Sequence, residues 1–286
     1  MAKALLEVKR LSIDAHPGHR LVDDVSFEVG RGEFLGLVGQ SGSGKSMTGL
    51  AIPGLLPAPC HTVSGSIVFD GMDLAGMAEA QLRRLRGRRI GMVFQNPMST
   101  LSPTLRIGTQ IVDAILAHER IDKPLAWQKS RDALGRVGIP APDERMAAYP
   151  HQLSGGMRQR VAIAIAMIND PDLVIADEPT TALDVTIQAQ ILHQVQKLAA
   201  ERDAAFIWIS HDLSVVAGLV DRIAVMHDGS IIEQGSTDQV LDAPRHPFTR
   251  RLIASIPSMV ANIDELRASD PDDITYTQGI TGDAQG

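Results

Sequence analysis

A single cysteine, Cys60, stands in 286 residues. No internal disulfide can form, and no cysteine cluster is available for a metal or an iron–sulfur centre. The expectation is a reducing compartment, with Cys60 as a free thiol that fills packing space. Long apolar runs are missing as well: the longest, Val161 to Ile168, is far shorter than the ~20 residues a membrane-spanning helix needs. Glu7, Lys9 and Arg10 interrupt the apolar start, so no secretory signal is expected and any membrane association has to come through a partner. The body also lacks an excess of charge of one sign. Net charge is −7, but from Asp264 onward six acids (Asp264, Glu265, Asp270, Asp272, Asp273, Asp283) face only Arg267. A nearly neutral body argues against a nucleic-acid partner. The run Arg83-Arg84-Leu85-Arg86-Gly87-Arg88-Arg89 has no interleaved aromatics for stacking and reads as the solvated face of an amphipathic helix.

What is present is enough apolar material, 44% of residues, for a large core. Strands are expected at Leu5–Ile13 and Val25–Val29, as a small antiparallel sheet, then at Gly65–Phe69 and Ile90–Phe94, with a helical basic stretch Ala78–Arg89 between the last two. From about Leu101 the pattern is helical, with Ile107–Ala117, Leu125–Val137 and Glu144–Tyr149. Helix Gly156–Ile168, strand Leu173–Ala176, helix Val185–Glu201, strand Ala205–Ile209, helix Leu213–Leu219 and strand Arg222–Met226 then alternate as in a parallel sheet. The fold class is therefore α/β: a mostly parallel sheet flanked by helices, an N-terminal antiparallel β subdomain, and a helical subdomain inserted at about 101–160. Residues 258–286, poor in apolar periodicity and acidic, read as a disordered tail.

Three segments carry chemistry. Gly39-Gln40-Ser41-Gly42-Ser43-Gly44-Lys45-Ser46 follows the apolar run Phe34–Val38 and leads into a helix beginning near Met47. Strand, glycine loop and helix at this spacing form a P-loop: backbone N–H groups turn inward on a polyphosphate, Lys45 reaches the β- and γ-phosphates, and Ser46 ligates Mg²⁺. Leu173-Val174-Ile175-Ala176-Asp177-Glu178 delivers two carboxylates at the end of a buried strand, where parallel sheets bind ligands. Asp177 is placed to hold the Mg²⁺ shell and Glu178 to polarise a water for attack on the γ-phosphorus. Leu153-Ser154-Gly155-Gly156-Met157 begins a helix with an N-capping serine and two glycines, a second place for an anion to approach backbone.

Leu153–Met157 with Arg158-Gln159-Arg160, about twenty residues before a strand ending in Asp-Glu, resembles the signature of ATP-binding-cassette (ABC) ATPases. The resemblance covers about 240 residues. It implies that Gln95 is the Q-loop glutamine and a γ-phosphate, Mg²⁺ or water contact, that Thr181-Ala182-Leu183-Asp184 is the D-loop, and that His211 is the switch histidine. It further implies a head-to-tail dimer in which ATP on one subunit's P-loop is closed over by Ser154 and Gly156 of the other. The family usually stacks adenine on an early aromatic; here the corresponding stretch is Asp14-Ala15-His16-Pro17-Gly18-His19, with His16 as the substitute ring.

Phe94–Pro103, Asp177–Gln190 and His246–Pro257 narrow the resemblance to the ATPase subunits of bacterial oligopeptide, dipeptide and nickel importers, with an ABC ATPase domain at 1–257 and an importer-type C-terminal extension at about 236–257. Implied partners are a second ABC ATPase subunit (a paralogue or a second copy of this chain), two integral-membrane permease subunits and, indirectly, an extracytoplasmic solute-binding protein. Implied cofactors are ATP and Mg²⁺. Many relatives continue into a cysteine-rich segment with an iron–sulfur cluster; no cysteine follows Cys60, and no cluster is expected. The implied location is peripheral, on the cytoplasmic face of the inner membrane, with the helical lobe and the segment after Gln95 receiving the permease. Peptide, nickel chelate and opine remain open as solutes. A soluble ABC ATPase working in scaffolding or on nucleic acid is the alternative, against which the neutral body and the importer-type extension speak.

Overall fold

A computed structural model describes residues 3–180 and 185–255. Strands β1 (Leu6–His16) and β2 (His19–Val29) form a hairpin around Pro17-Gly18 and are followed by β3 (Phe34–Val38) and α1 (Lys45–Ala51). Next come β4 (His61–Phe69), β5 (Met72–Asp73), α2 (Glu79–Leu85) and β6 (Ile90–Val93). Four helices then follow with no strand between them: α3 (Pro97–Thr100), α4 (Ile107–Leu116), α5 (Lys123–Arg136) and α6 (Pro142–Ala147). The rest alternates as α7 (Gly155–Met167), β7 (Leu173–Asp177), α8 (Val185–Ala200), β8 (Ala205–Ser210), α9 (Leu213–Ala217) and β9 (Arg222–His227). It ends in β10 (Ser230–Ser236), α10 (Thr237–Asp242) and α11 (Pro247–Ala254).

The strands make two sheets. One is antiparallel, in the order β2-β1-β4-β5, and the other runs β10-β9-β3-β8-β7-β6, parallel except for β10 against β9. Period-two alternation along the parallel strands sends successive side chains to opposite faces, so the sheet has two cores. Phe34, Val38, Val174, Ala176, Phe206 and Trp208 point into the core shared with the helices. Leu35, Leu37, Leu173, Ile175, Ile207 and Ile209 point into the core under the antiparallel sheet, where half-buried Cys60 also packs. Burial on both faces is why these strands read as continuous apolar runs. Helix starts follow local capping chemistry: Asn96, Asp122, Ser154, Asp212 and Ser236 each accept a backbone N–H of the following turn.

Two helices depart from the sequence expectation. The basic helix expected to Arg89 ends at Leu85, because Arg86 is extended and Gly87 has φ +74. Arg86 turns back to donate to the carbonyls of Pro53 (2.6 Å) and Gly54 (2.9 Å), and Arg89 joins an ion-pair network, so the run is only partly a solvated face. The helix expected at Glu144–Tyr149 is α6 instead. Pro142 fits its first turn, while Pro150 forces the preceding Tyr149 into an extended conformation.

Candidate active site

The P-loop lies between β3, all of whose residues are buried, and α1. Gln40, Ser41 and Gly42 form its exposed crest, with Gly39, Ser43 and Lys45 buried beneath. Glycine is required at two places: a Cβ at Gly39 would collide with the Met226 carbonyl, and Gly44 has φ +98 with a Cβ position 2.8 Å from the Leu21 carbonyl. The loop wraps around the Lys45 ammonium, which donates to the carbonyls of Gly39 and Gln40, both at 2.8 Å. Burial lowers its pKa, opposed by the nearby Glu178 and Asp177 carboxylates. Among the described residues no side chain caps the start of α1, so its first N–H groups have no side-chain acceptor there. Met47 packs its side chain on the core under the antiparallel sheet, leaving only its backbone to the site.

Asp177 and Glu178 end β7 at the same edge. Ser46 Oγ donates to Asp177 Oδ1 at 2.9 Å. Burial pushes the Asp177 carboxyl above its ordinary value, against the Ser46 hydrogen bond; Glu178 adds to the rise and Lys45 opposes it. Glu178 takes φ +45, and its N–H donates to the Ile209 carbonyl at 2.9 Å. This turns its side chain toward two residues from distant parts of the chain. Gln95 Nε2 donates to Glu178 Oε2 at 3.0 Å, and His211 Nδ1 lies 3.2 Å from Glu178 Oε1. Ser210 Oγ accepts the Asp212 N–H at 3.0 Å and Asp212 caps α9, which fixes the backbone on either side of His211.

Lys45, Ser46, Gln95, Asp177, Glu178 and His211 thus meet at one sheet edge. Ser154, Gly155 and Gly156 form a separate helix start: the Ser154 hydroxyl accepts the Met157 N–H at 3.3 Å, and Ser154 and Gly155 are exposed. His16 is exposed at the hairpin tip opposite His19, with ring centroids 6.1 Å apart. Asp184 and the rest of Thr181–Asp184 lie outside the described residues. Sequence reading missed the β9–β10 turn, whose Gly229 N–H donates to the Ser43 carbonyl at 3.2 Å. Asp228-Gly229 is a readable hairpin signal, but nothing in the sequence ties it to the P-loop.

The donor set fits a nucleotide polyphosphate. Among the described residues, the Ser43 hydroxyl is buried without a hydrogen-bond partner, the Lys45 ammonium bonds two backbone carbonyls, and the start of α1 has no side-chain cap. The Ser46–Asp177 pair fits a hard divalent cation, which prefers oxygen ligands.

Residues 22–181 match the family described as ABC transporter, and residues 232–282 match one described as Oligopeptide/dipeptide transporter, C-terminal region. The oligopeptide transport ATP-binding protein OppD of Bacillus subtilis (strain 168) is 47% identical over 265 residues, covering 91% of this chain and 74% of that protein. The dipeptide transport ATP-binding protein DppD of Escherichia coli (strain K12) is 44% identical over 266 residues, 92% of this chain and 81% of that protein. Among solved structures, the dimeric ATP-binding cassette MJ0796 bound to ADP and Pi aligns with a TM-score of 0.73 at 26% identity, covering 81% of this chain and 98% of that one. CbiO1 from Clostridium perfringens, part of the ABC transporter complex cbiONQ, aligns with a TM-score of 0.74 at 25% identity, covering 92% and 98%.

Proposed function

The chain belongs to the ABC transporter family of ATP-binding subunits, and on that premise we propose that it hydrolyses ATP in a head-to-tail dimer to drive uptake of peptides or a related small solute. The observation that carries the reading is the meeting of Lys45, Ser46, Gln95, Asp177, Glu178 and His211 at one edge. Binding exchanges the two carbonyls on the Lys45 ammonium for phosphate oxygens, which accept stronger, charge-assisted hydrogen bonds. The loop N–H groups and the Ser43 hydroxyl take the remaining phosphate oxygens. Ser46 and Gln95, with Asp177 behind them, would hold Mg²⁺, which would supply positive charge to the polyphosphate.

Glu178 takes the proton from the attacking water on a second lone pair of its carboxylate; the water oxygen bonds to the γ-phosphorus as the bond from that phosphorus to the bridging oxygen breaks, and ADP leaves with that oxygen. His211 then holds the γ-phosphate side. Ser154 and Gly156 begin α7 and make no hydrogen bond to the P-loop among the described residues, which suits a role on the nucleotide of a second subunit, and the dimeric MJ0796 cassette with ADP and Pi supports that arrangement. Asp184 belongs to the same interface in this reading. Peptide-type solutes are supported by the OppD and DppD relatives and by the matched C-terminal region.

No helix among the described residues is long and apolar enough to cross a membrane. Attachment is assigned to two permease subunits at the cytoplasmic face, and exposed Met98, Leu105 and Trp127 on the lobe and the segment after Gln95 support that docking surface.

Glu178→Gln tests the mechanism. It should bind ATP·Mg²⁺ while turnover falls at least ~100-fold, and it should shift to a dimer on gel filtration with ATP, alone or with a paralogous subunit. Near-normal turnover would remove Glu178 from the role of base.

A further inference from the structure

The turn between β9 and β10 joins three parts of the molecule. Its Gly229 N–H donates to the Ser43 carbonyl of the P-loop at 3.2 Å, and its Gly229 carbonyl accepts the Asp23 N–H of β2 at 2.8 Å. Ser230 Oγ donates to the Asp23 carbonyl at 3.1 Å. Just before the turn, the Met226 carbonyl lies so close to Gly39, the first residue of the loop, that it leaves no room for a Cβ there. The third part is α11. The His227 ring stacks on Phe248 with centroids 3.9 Å apart and planes 22° from parallel, and Arg251 lies 5.9 Å from the Phe248 ring. Phe248 is only 4% exposed. The approach to α11 is fixed by Glu233 of β10, which accepts the N–H groups of Arg245 (2.7 Å) and His246 (3.0 Å). The segment matching the oligopeptide/dipeptide transporter C-terminal region begins at residue 232, directly after this turn.

We propose that the His227–Phe248 stack is the contact through which the C-terminal region sets the geometry of the P-loop, making Phe248 a positioning residue for nucleotide binding. The inference rests on the ATP-binding reading above. A phosphate cradle works only while its N–H groups converge on the same oxygens. The turn bonds the loop through backbone at Ser43, and just before it Met226 lies against the loop with its carbonyl at Gly39 and its side chain at Gly44, so a tilt of the turn moves the cradle itself. Phe248 lies in the core shared with the helices and Met226 in the core under the antiparallel sheet, so the stack holds this strand end from the face opposite the Met226 side chain, and no residue of α11 has to touch the nucleotide. Linkage makes the coupling reciprocal: what α11 does for ATP affinity, bound ATP does for the order of α11.

The test measures the affinity of the full-length chain for a non-hydrolysable ATP analogue with Mg²⁺ by calorimetry, beside its melting temperature. Phe248→Leu keeps apolar volume without the ring, and His227→Ala removes the ring from a half-exposed position that tolerates truncation. Each should weaken binding about 5-fold, His227→Phe should stay within about 2-fold of the parent, and the double variant should bind no more weakly than either single one, as expected for one shared contact. Hydrogen exchange at Pro247–Ala254 should slow when the analogue binds the parent chain but not His227→Ala. Lowered melting temperatures with unchanged affinities would overturn the proposal, as would a double variant about 25-fold weaker or protection confined to the P-loop. A parent chain that binds no analogue would instead remove the ATP-binding reading on which the proposal stands.

Discussion

The two edges of the parallel sheet hold charge in opposite ways. At the edge where strands begin, Arg31 and Arg89 each pair with both Asp70 and Asp172, at 2.7 to 3.2 Å. Two guanidiniums and two carboxylates close on one another. At the edge where strands end, Asp177 takes a hydroxyl, Glu178 an amide and an imidazole, and Lys45 two backbone carbonyls. The consequences for the carboxyls have opposite sign. The Arg89 hydrogen bond holds Asp70 below the ordinary carboxyl value despite burial, whereas burial holds Asp177 above it. The first edge neutralises itself and contributes to stability. The second keeps charges in weakly neutralising company, where a polyphosphate and a cation can complete them.

Breaking the second edge should have the larger effect. Lys45→Ala removes the ammonium that phosphate oxygens would accept from, and two charge-assisted hydrogen bonds correspond to about a 100-fold loss of ATP affinity. Calorimetry checks this, and unchanged affinity would count against the P-loop assignment. Asp177→Asn separates function from stability. The amide oxygen can still accept from Ser46, but the carboxylate at 177 no longer has to be buried ionised, so ATP turnover should fall at least ~10-fold while the melting temperature of the nucleotide-free chain rises by about 2–4 °C. A lower melting temperature would erase the contrast between the edges, because it would make Asp177 as stabilising as Asp70.

How much of this was legible in the sequence depends on chain distance. The P-loop, the Asp-Glu strand end and the Ser154 cap are local patterns, and β3, β7 and α7 stand where those patterns place them. The resemblance named Gln95 and His211, but the bonds that bring both to Glu178 span parts of the chain that no periodicity relates. The left-handed φ of Glu178 is equally invisible, since glutamate carries no preference for it. At Arg83–Arg89 the sequence showed five arginines and a helical period. Only the fold reveals that Arg86 and Arg89 have partners at Pro53, Gly54, Asp70 and Asp172, beyond a helix that ends where Arg86 is extended and Gly87 is left-handed. Side chains that bond across sheet order are the part that sequence spacing cannot carry.

The smallest effects test whether the first edge is structural only. Arg89→Ala removes two ion pairs and the guanidinium over the Phe69 ring at 5.0 Å. Asp70 and Asp172 are 34% and 29% exposed, so solvent screening keeps the loss to about 1 kcal/mol, with ATP affinity unchanged. Its pH dependence has a definite sign. Asp70 has a folded-state pKa below the 3.8 of the free side chain, so its contribution is complete above pH 3.8 and is lost as pH falls through the folded value. The difference in melting temperature between the parent chain and Arg89→Ala should therefore be constant from pH 7 down to about 5 and shrink below about 4. Added salt should reduce it at neutral pH as well, because the pairs are partly exposed. A simultaneous loss of ATP affinity would show that the two edges are coupled through the strands between them, and that the charge at the strand starts helps to position the site at the strand ends.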